Sequence, residues 1–206
     1  MGNINTLGND EEFLKVSSDA GCISWFVGLE SINPDSIKSM GKSSNKVKEY
    51  PLSIKKMHDY GMYIQGSFIF GFDTDTKDVF DNTLDFVKKY DVDHPLFNIL
   101  TPYPGTRLFD RLEKEGRILS KNWARYNMHN VVFKPKNMTP EELLEETVRV
   151  TYEVYSYPNL IRRTIKGLNV LGLYASSVFT SQNLKRRTDY YFNCKLAYSY
   201  INKMGI

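Results

Sequence analysis

Three short apolar runs in the first half of the chain each end in polar side chains that could bind a small molecule. The run "CISWFVGLE" ends at Glu30, and a carboxylate directly after a buried run needs a partner or a ligand to offset the loss of its hydration. Asp75 and Thr106 follow the other two runs, and both could instead be helix caps. The polar residues at the three ends are Glu30 and Ser31, Asp73, Thr74 and Asp75, and Thr101, Tyr103 and Thr106. They predict a ligand site, with Glu30 as its strongest candidate.

The elements that carry these residues alternate between strand and helix. The runs "CISWFVGLES", "YIQGSFIFGF" and "HPLFNIL" predict three strands, and helical periodicity lies between and after them, beginning with a helix capped near Asn9. This alternation predicts parallel strands, whose carboxyl ends meet at the edge where α/β barrels and open sheets bind ligands. We therefore expect the three polar ends to lie side by side.

Glycines interrupt the second predicted strand at positions 66 and 71. Glycine weakens a strand, so Gly66 and Gly71 indicate a bulge or the close approach of a ligand or another backbone. A flat ring such as adenine could lie against this bare backbone, but two glycines tolerated at a tight barrel position explain the pattern equally well. The spacing is neither a dinucleotide fingerprint nor a P-loop.

The last third of the chain predicts helices alone. The stretch beginning "MTPEELLEE" has Thr139 at the N-cap, Pro140 at the first helical position and Glu142 at the third, which is a capping box. Helical spacing continues toward the end of the chain, for instance in the apolar series Tyr191, Cys194, Tyr198 and Ile201. We predict a barrel part at residues 1–120, a linker at residues 121–138 and a helical subdomain at residues 139–206.

Composition and charge narrow the possible functions. A net charge of +3 is too small to indicate nucleic acid or an anionic membrane as partner. The basic stretches "IRRTIK" and "LKRRTDYYF" leave nucleic-acid binding open, although solvated helix faces explain them too. The two cysteines, Cys22 and Cys194, and the scattered histidines have no metal-ligand spacing, so no metal site is expected in this chain and a cytoplasmic location fits.

Taken together, the motifs resemble a known family. The stretches "CISWFVGLES", "GMYIQGSFIFGFDTDTKDVFDNTLDFV" and "FNILTPYPGTRLFDRLEKEGRI", in this order and spacing, resemble the second half of radical S-adenosylmethionine (SAM) enzymes. The similarity is closest to the branch with a cobalamin-binding domain before the barrel and a helical extension after it. It implies a partial, TIM-barrel-like fold with a [4Fe-4S] cluster that binds SAM, for methyl transfer or for reductive cleavage to a 5′-deoxyadenosyl radical. The predicted fold class is α/β, a half βα-barrel with parallel strands followed by an all-α C-terminal subdomain.

The resemblance also implies which residues bind SAM. Glu30 and Ser31 would contact its ribose and amino-acid end, since they follow the strand whose end serves this purpose in the family. The adenine would lie against the next two strands, at Gly66, Phe68, Gly71, Leu100 and Tyr103.

The chain departs from the family in two respects. It contains no CxxxCxxC motif to hold the cluster, and the first strands of the barrel are missing, because "GNINTLGNDEEF" resembles the junction after the third strand. We therefore expect it to be the C-terminal part of a larger enzyme and inactive alone, with the cluster ligands and the cobalamin-binding part elsewhere. Its partner would be the missing N-terminal half or a second copy bound through the open sheet edge. The alternative hypothesis is a non-catalytic half-barrel that serves as a binding or assembly module for another chain.

Overall fold

The computed structural model of the chain describes residues 2–42 and 45–159, which contain one parallel sheet of four strands in the order β1-β2-β3-β4. The strands are β1 (Gly2–Asn3), β2 (Ser24–Glu30), β3 (Tyr63–Phe70) and β4 (His94–Ile99). This confirms the predicted α/β half-barrel with parallel strands, and β2 to β4 are the three strands expected from the sequence. The sequence missed β1, because two residues are too few to show a strand pattern, and only their pairing with Val27 and Gly28 of β2 identifies them.

Helices connect the strands and follow the last of them. They are α1 (Ile4–Asn9), α2 (Glu11–Asp19), α3 (Pro34–Ser39), α4 (Tyr50–Asp59), α5 (Asp78–Lys89), α6 (Arg107–Lys114) and α7 (Pro140–Val154). The cap predicted near Asn9 is Asp10, whose side chain accepts a hydrogen bond from the backbone N–H of Phe13 at 2.8 Å. The capping box predicted at Thr139 is present at the start of α7.

The sheet has two unlike faces. Alternate residues of β2, β3 and β4 form the helix-covered face, which is fully buried at Val27, Leu29, Ile64, Gly66, Phe68, Phe70, Pro95, Phe97 and Ile99. Its aromatic rings pack on α5, where the ring centroids of Phe70 and Phe80 are 4.7 Å apart. The residues between them form the inner face, which is partly polar and half-buried except at Ser67, which is buried. It comprises Ser24, Phe26, Gly28, Tyr63, Gln65, Ser67, Ile69, His94, Leu96 and Asn98. β2, β3 and β4 therefore each have one packed side and one side open to a ligand or another part of the barrel.

Helix α7 packs against α5 and β4. Its buried residues are Leu143, Thr147, Val150 and Val154, and the Tyr155 hydroxyl that follows donates to the carbonyl of Pro95 at 2.7 Å. Lys88 of α5 forms an ion pair with Glu153 at 2.5 Å. The helices expected beyond residue 159 lie outside the described residues, and the domain boundaries at residues 120 and 138 stay a prediction. None of the helices in the described ranges has the length and apolar content needed to cross a bilayer.

Candidate functional site

The carboxylate of Glu30 lies on the inner face, at the carboxyl end of β2. The pairing of β2 with β3 is irregular here, passing from Gly28 opposite Ser67 to Glu30 opposite Phe68. Glu30 has φ +62°, in the left-handed region that side chains other than glycine rarely adopt. A Cβ placed on Gly28 would lie 2.5 Å from Oε1 of Glu30. The bulge thus turns the carboxylate back over Gly28, and the missing side chain of that glycine leaves room for it.

Lys42 compensates the charge of Glu30. The Glu30 side chain is only 12% exposed, whereas the Lys42 side chain, whose Nζ pairs with Oε1, is 47% exposed. Removing a carboxylate from water is costly unless it is paired, so Lys42 supplies part of that compensation in this chain. A ligand bound over Gly28 would meet a carboxylate and an ammonium group together.

A second set of hydrogen bonds holds the backbone of β2 beneath this pair. The Asn45 side chain donates to the carbonyl of Gly28 at 3.1 Å and accepts a hydrogen bond from Asn3 of β1. The Tyr50 hydroxyl donates to the carbonyl of Leu29 at 2.9 Å. Burial raises the pKa of Tyr50, and the nearby Glu30 carboxylate acts in the same direction, so this hydroxyl keeps its proton. Asn45, Lys42 and Tyr50 are distant in sequence from β2, and no motif distinguished them.

Ser31 begins the turn from β2 into α3. It is buried, and its Oγ accepts a hydrogen bond from the backbone N–H of Asn33 at 3.0 Å. Asn33 in turn caps α3 by accepting from the N–H of Asp35 at 2.9 Å. The hydroxyl of Ser31 therefore has a structural role within the chain, and its predicted contact with SAM stays a prediction.

Asp75 holds the loop that follows β3. It is almost fully buried, and its Oδ2 accepts from the N–H groups of Gly71 and Phe72 at 2.9 and 3.0 Å. Its Oδ1 accepts from the Ser36 hydroxyl of α3 at 2.9 Å. Burial raises the pKa of this carboxyl despite these bonds. Asp75 thus ties the loop after β3 to α3, which explains its position without a ligand. It is not the N-cap of α5, which is Lys77.

Asp73 links the same loop to the region after β4. Its carboxylate contacts Arg111 and Arg117, each at 2.7 Å, and lies 3.5 Å from Lys136. Burial acts to raise the pKa of Asp73, but the hydrogen bond and charge of Arg117, together with the other two cations, lower it below the ordinary value. These ion pairs hold the loop against α6 and the segment before α7.

The two glycines of the β3 region have packing explanations. A Cβ on Gly66 would lie 2.8 Å from both Leu29 and Val92, and a Cβ on Gly71, which has φ +104°, would lie 2.9 Å from Leu143 of α7. Phe68 is buried on the same helix-covered face. The β3 residues that lie on the inner face are instead Tyr63, Gln65, Ser67 and Ile69. The predicted contacts of Gly66, Phe68 and Gly71 with adenine stay a prediction.

The segment after β4 contributes the last predicted contacts. The backbone N–H of Leu100 donates to the carbonyl of Phe70 at 2.9 Å, so the ends of β3 and β4 are joined. Tyr103 is exposed, and its carbonyl accepts a hydrogen bond from the Thr106 hydroxyl at 2.6 Å. The Thr106 hydroxyl also accepts a hydrogen bond from the N–H of Phe109 at 3.2 Å, so Thr106 is the N-cap of α6. This agrees with the interpretation of Thr106 as a helix cap.

Side-chain amides add polarity to the inner face, and sequence reasoning missed them. Gln65 donates to the Ser24 hydroxyl at 3.2 Å, and Asn98 donates to the Ser67 hydroxyl at 3.1 Å. Both pairs join neighbouring strands. The alternation of Gln65 and Ser67 with apolar residues was the available signal, since period-two alternation places them on one face. The described residues contain no group of three or more His, Cys, Asp or Glu side chains placed to hold a metal ion.

Comparison with known proteins gives one family profile and several relatives. Residues 106–197 match a profile described as a domain of unknown function, DUF4070. The chain is 36% identical over 152 residues to bacteriochlorophyllide d C-12(1)-methyltransferase of Chlorobaculum tepidum, which covers 74% of this chain and 33% of the relative. It is 32% identical over 157 residues to bacteriochlorophyllide d C-8(2)-methyltransferase of the same organism. This match covers 76% of this chain and 35% of the relative.

A third relative is an uncharacterized methyltransferase of Pyrococcus horikoshii, 30% identical over 177 residues, covering 80% of this chain and 38% of the relative. The chain therefore spans about a third of the length of the curated relatives it matches.

Proposed function

The chain belongs to the radical SAM enzymes, and on that premise we propose that it forms the SAM-binding part of a cobalamin-dependent methyltransferase of this family. Two kinds of observation support this. The relatives described above are named methyltransferases. They are 30–36% identical to the chain, and the matched regions cover 74–80% of it. The inner face of the sheet also carries a carboxylate at the end of β2, where the resemblance locates the ribose of SAM.

The position of Glu30 is the observation that carries the proposal. Its carboxylate lies over the bare backbone of Gly28 on the inner face, paired with a half-exposed lysine. A carboxylate accepts hydrogen bonds only, so it suits the two hydroxyl donors of a ribose. The charges of Glu30 and Lys42 also suit the zwitterionic amino-acid end of SAM. When bound, SAM supplies the methyl group, and the residues of this chain orient it.

The residues of this chain do not supply the ligands of a [4Fe-4S] cluster. The two cysteines, Cys22 and Cys194, are 172 positions apart, so they cannot form the three-cysteine loop. Among the described residues, no group of three or more His, Cys, Asp or Glu side chains is placed to hold a metal ion instead of that loop. The ligands of the cluster and the site for cobalamin are proposed to lie in another part of the parent protein.

The partner proposed for this chain is the rest of the barrel. β1 is a two-residue strand at the edge of the sheet, and its outer side is the place where a further parallel strand could pair. Such a strand would come from the remainder of the parent protein or from a second copy of the chain. We propose a cytoplasmic location because the two cysteines are far apart and indicate no disulfide framework.

Glu30→Gln in the complete, cluster-loaded parent protein tests the proposal. We expect SAM affinity, measured by equilibrium dialysis, to fall at least tenfold, because the variant loses the charge that binds the donors, and one tenfold step is about 1.4 kcal/mol. Asp35→Asn is the matched control, since Asp35 is an exposed carboxylate in the first turn of α3, and its affinity should not change. If the wild-type parent protein binds no SAM, the assembly-module hypothesis replaces this proposal.

A further inference from the structure

Helix α7 has a row of apolar side chains on its surface. Leu144, Val148 and Tyr152 are spaced four residues apart, so they share one face of the helix. They are 39%, 43% and 54% exposed, while Leu143, Thr147 and Val150 on the adjoining face are buried against the rest of the chain. We call this row the α7 stripe. An apolar row on the otherwise polar exposed side of a helix is typical of an interaction surface.

Two acidic residues lie beside the α7 stripe without a partner in the described ranges. Glu141 and Glu145 are exposed and make no ion pair with any described residue. The other three glutamates of the helix are all paired: Glu142 with Lys77, Glu146 with Arg149, and Glu153 with Lys88. The surface that remains open therefore combines an apolar row with uncompensated negative charge.

The distribution of charge along the chain provides a matching partner. Residues 160–206 contain eight Lys and Arg residues and one acid, a net charge of +7. Residues 1–159 contain 19 basic and 23 acidic residues, a net charge of −4. The overall value of +3 hides this division. Opposite net charges on two parts of one chain favour their association.

Residues 185–203, which we call the C-terminal segment, have an apolar series of their own. Tyr191, Cys194, Tyr198 and Ile201 are spaced by three and four residues, the pattern of one helix face. Lys185, Arg186 and Arg187 precede this series, and Lys195 and Lys203 lie between or after its members. In addition, the family profile runs without interruption from residue 106 to residue 197, so it treats α6, α7 and most of this segment as one unit.

We propose that the α7 stripe is the docking surface for the C-terminal segment of the same chain, residues 185–203. The apolar series of the segment covers Leu144, Val148 and Tyr152, and its basic residues lie near Glu141 and Glu145. The 31 residues between the last described residue, Asn159, and Tyr191 are long enough for the segment to return along α7. This interaction is independent of SAM binding.

Disulfide trapping in the full chain tests the proposal. Cys194 belongs to the apolar series, and replacing the other cysteine by Cys22→Ser leaves it as the single native thiol. Leu144→Cys, Val148→Cys and Tyr152→Cys are then introduced one at a time, and the proteins are oxidised mildly. A disulfide requires Cα atoms about 4.4–6.8 Å apart. We expect an intramolecular bridge to Cys194 from at least one of the three positions, identified by mass spectrometry of the digested monomer.

Leu52→Cys is the matched control, because Leu52 is 54% exposed but lies on α4. Bridging from Leu52→Cys as fast as from the α7 stripe, or bridging from none of the three positions, would overturn the proposal. Disulfide-linked dimers in place of the internal bridge would also overturn it and identify a second copy as the occupant. Adding Glu141→Lys and Glu145→Lys should slow bridging several-fold at low salt, and an unchanged rate would refute the electrostatic part.

Discussion

Gly66 and Gly28 lie on neighbouring strands of the sheet but on its opposite faces. At Gly66 a side chain would meet Leu29 and Val92, both 2.8 Å away within the packed core. At Gly28 it would meet the tip of Glu30, whose flexible side chain can rotate away. The glycine of the helix-covered face thus serves packing, whereas the glycine of the inner face leaves room for a charged group. Stability should therefore depend on one face and ligand binding on the other.

The largest effect is expected from Phe68→Ala on the helix-covered face. Phe68 is buried against Phe86 and Phe97, so its loss should lower the free energy of unfolding by about 3–5 kcal/mol, as measured by urea denaturation. Ile69→Ala is the matched control, because Ile69 is the next residue and lies half-buried on the inner face. Its cost should be less than half as large. Equal costs would show that the two faces do not differ.

The two glycines are expected to differ by a smaller amount. Gly66→Ala should lower the free energy of unfolding by about 1–3 kcal/mol, because Leu29 and Val92 must both move from packed positions. Gly28→Ala should cost less than about 0.5 kcal/mol, since only the Glu30 side chain has to move and alanine favours a strand more than glycine does. The same Gly28→Ala change should weaken SAM binding by the complete protein. The distinction fails if thermal or urea unfolding gives the two variants the same stability.

The smallest expected effect is a pH dependence on the helix-covered side. His58 of α4 contacts Asp93 at 2.8 Å, next to the start of β4. Burial acts to lower the pKa of His58, but the charge and hydrogen bond of Asp93, together with the charges of Asp91 and Asp59, raise the pKa above its ordinary value. The stabilisation is then complete below the ordinary histidine pKa of about 6.5 and is lost as pH rises through the raised value.

The free energy of unfolding should accordingly fall as the pH rises from about 6 toward 8, and His58→Asn should remove this slope. His129→Asn is the control, because His129 is exposed in the loop after β4. A slope that persists in His58→Asn would assign the pH dependence to another group.

Much of the fold was predictable because it depends on local patterns. The three longer strands and the capping box of α7 follow from residue spacing and backbone preference alone. β1 was missed because a strand of two residues exists only through its pairing with β2. The sequence also indicated that Glu30, Asp75 and Thr106 would lie at one edge. It left open whether Asp75 and Thr106 are caps or ligand contacts, and whether Glu30 meets a partner or a ligand.

The sequence by itself determined the family, the parallel order of strands and the position of Glu30 at the end of β2, because periodicity and motifs are encoded along the chain. Only the tertiary structure decided what each polar residue contacts. It assigned Asp75 and Asp73 to loop contacts, showed that Gly66 faces the core, and brought Lys42 and Asn45 to the end of β2. These assignments depend on which face a bulge or turn gives to a side chain and on distances between residues far apart in sequence. Residue spacing does not contain that information.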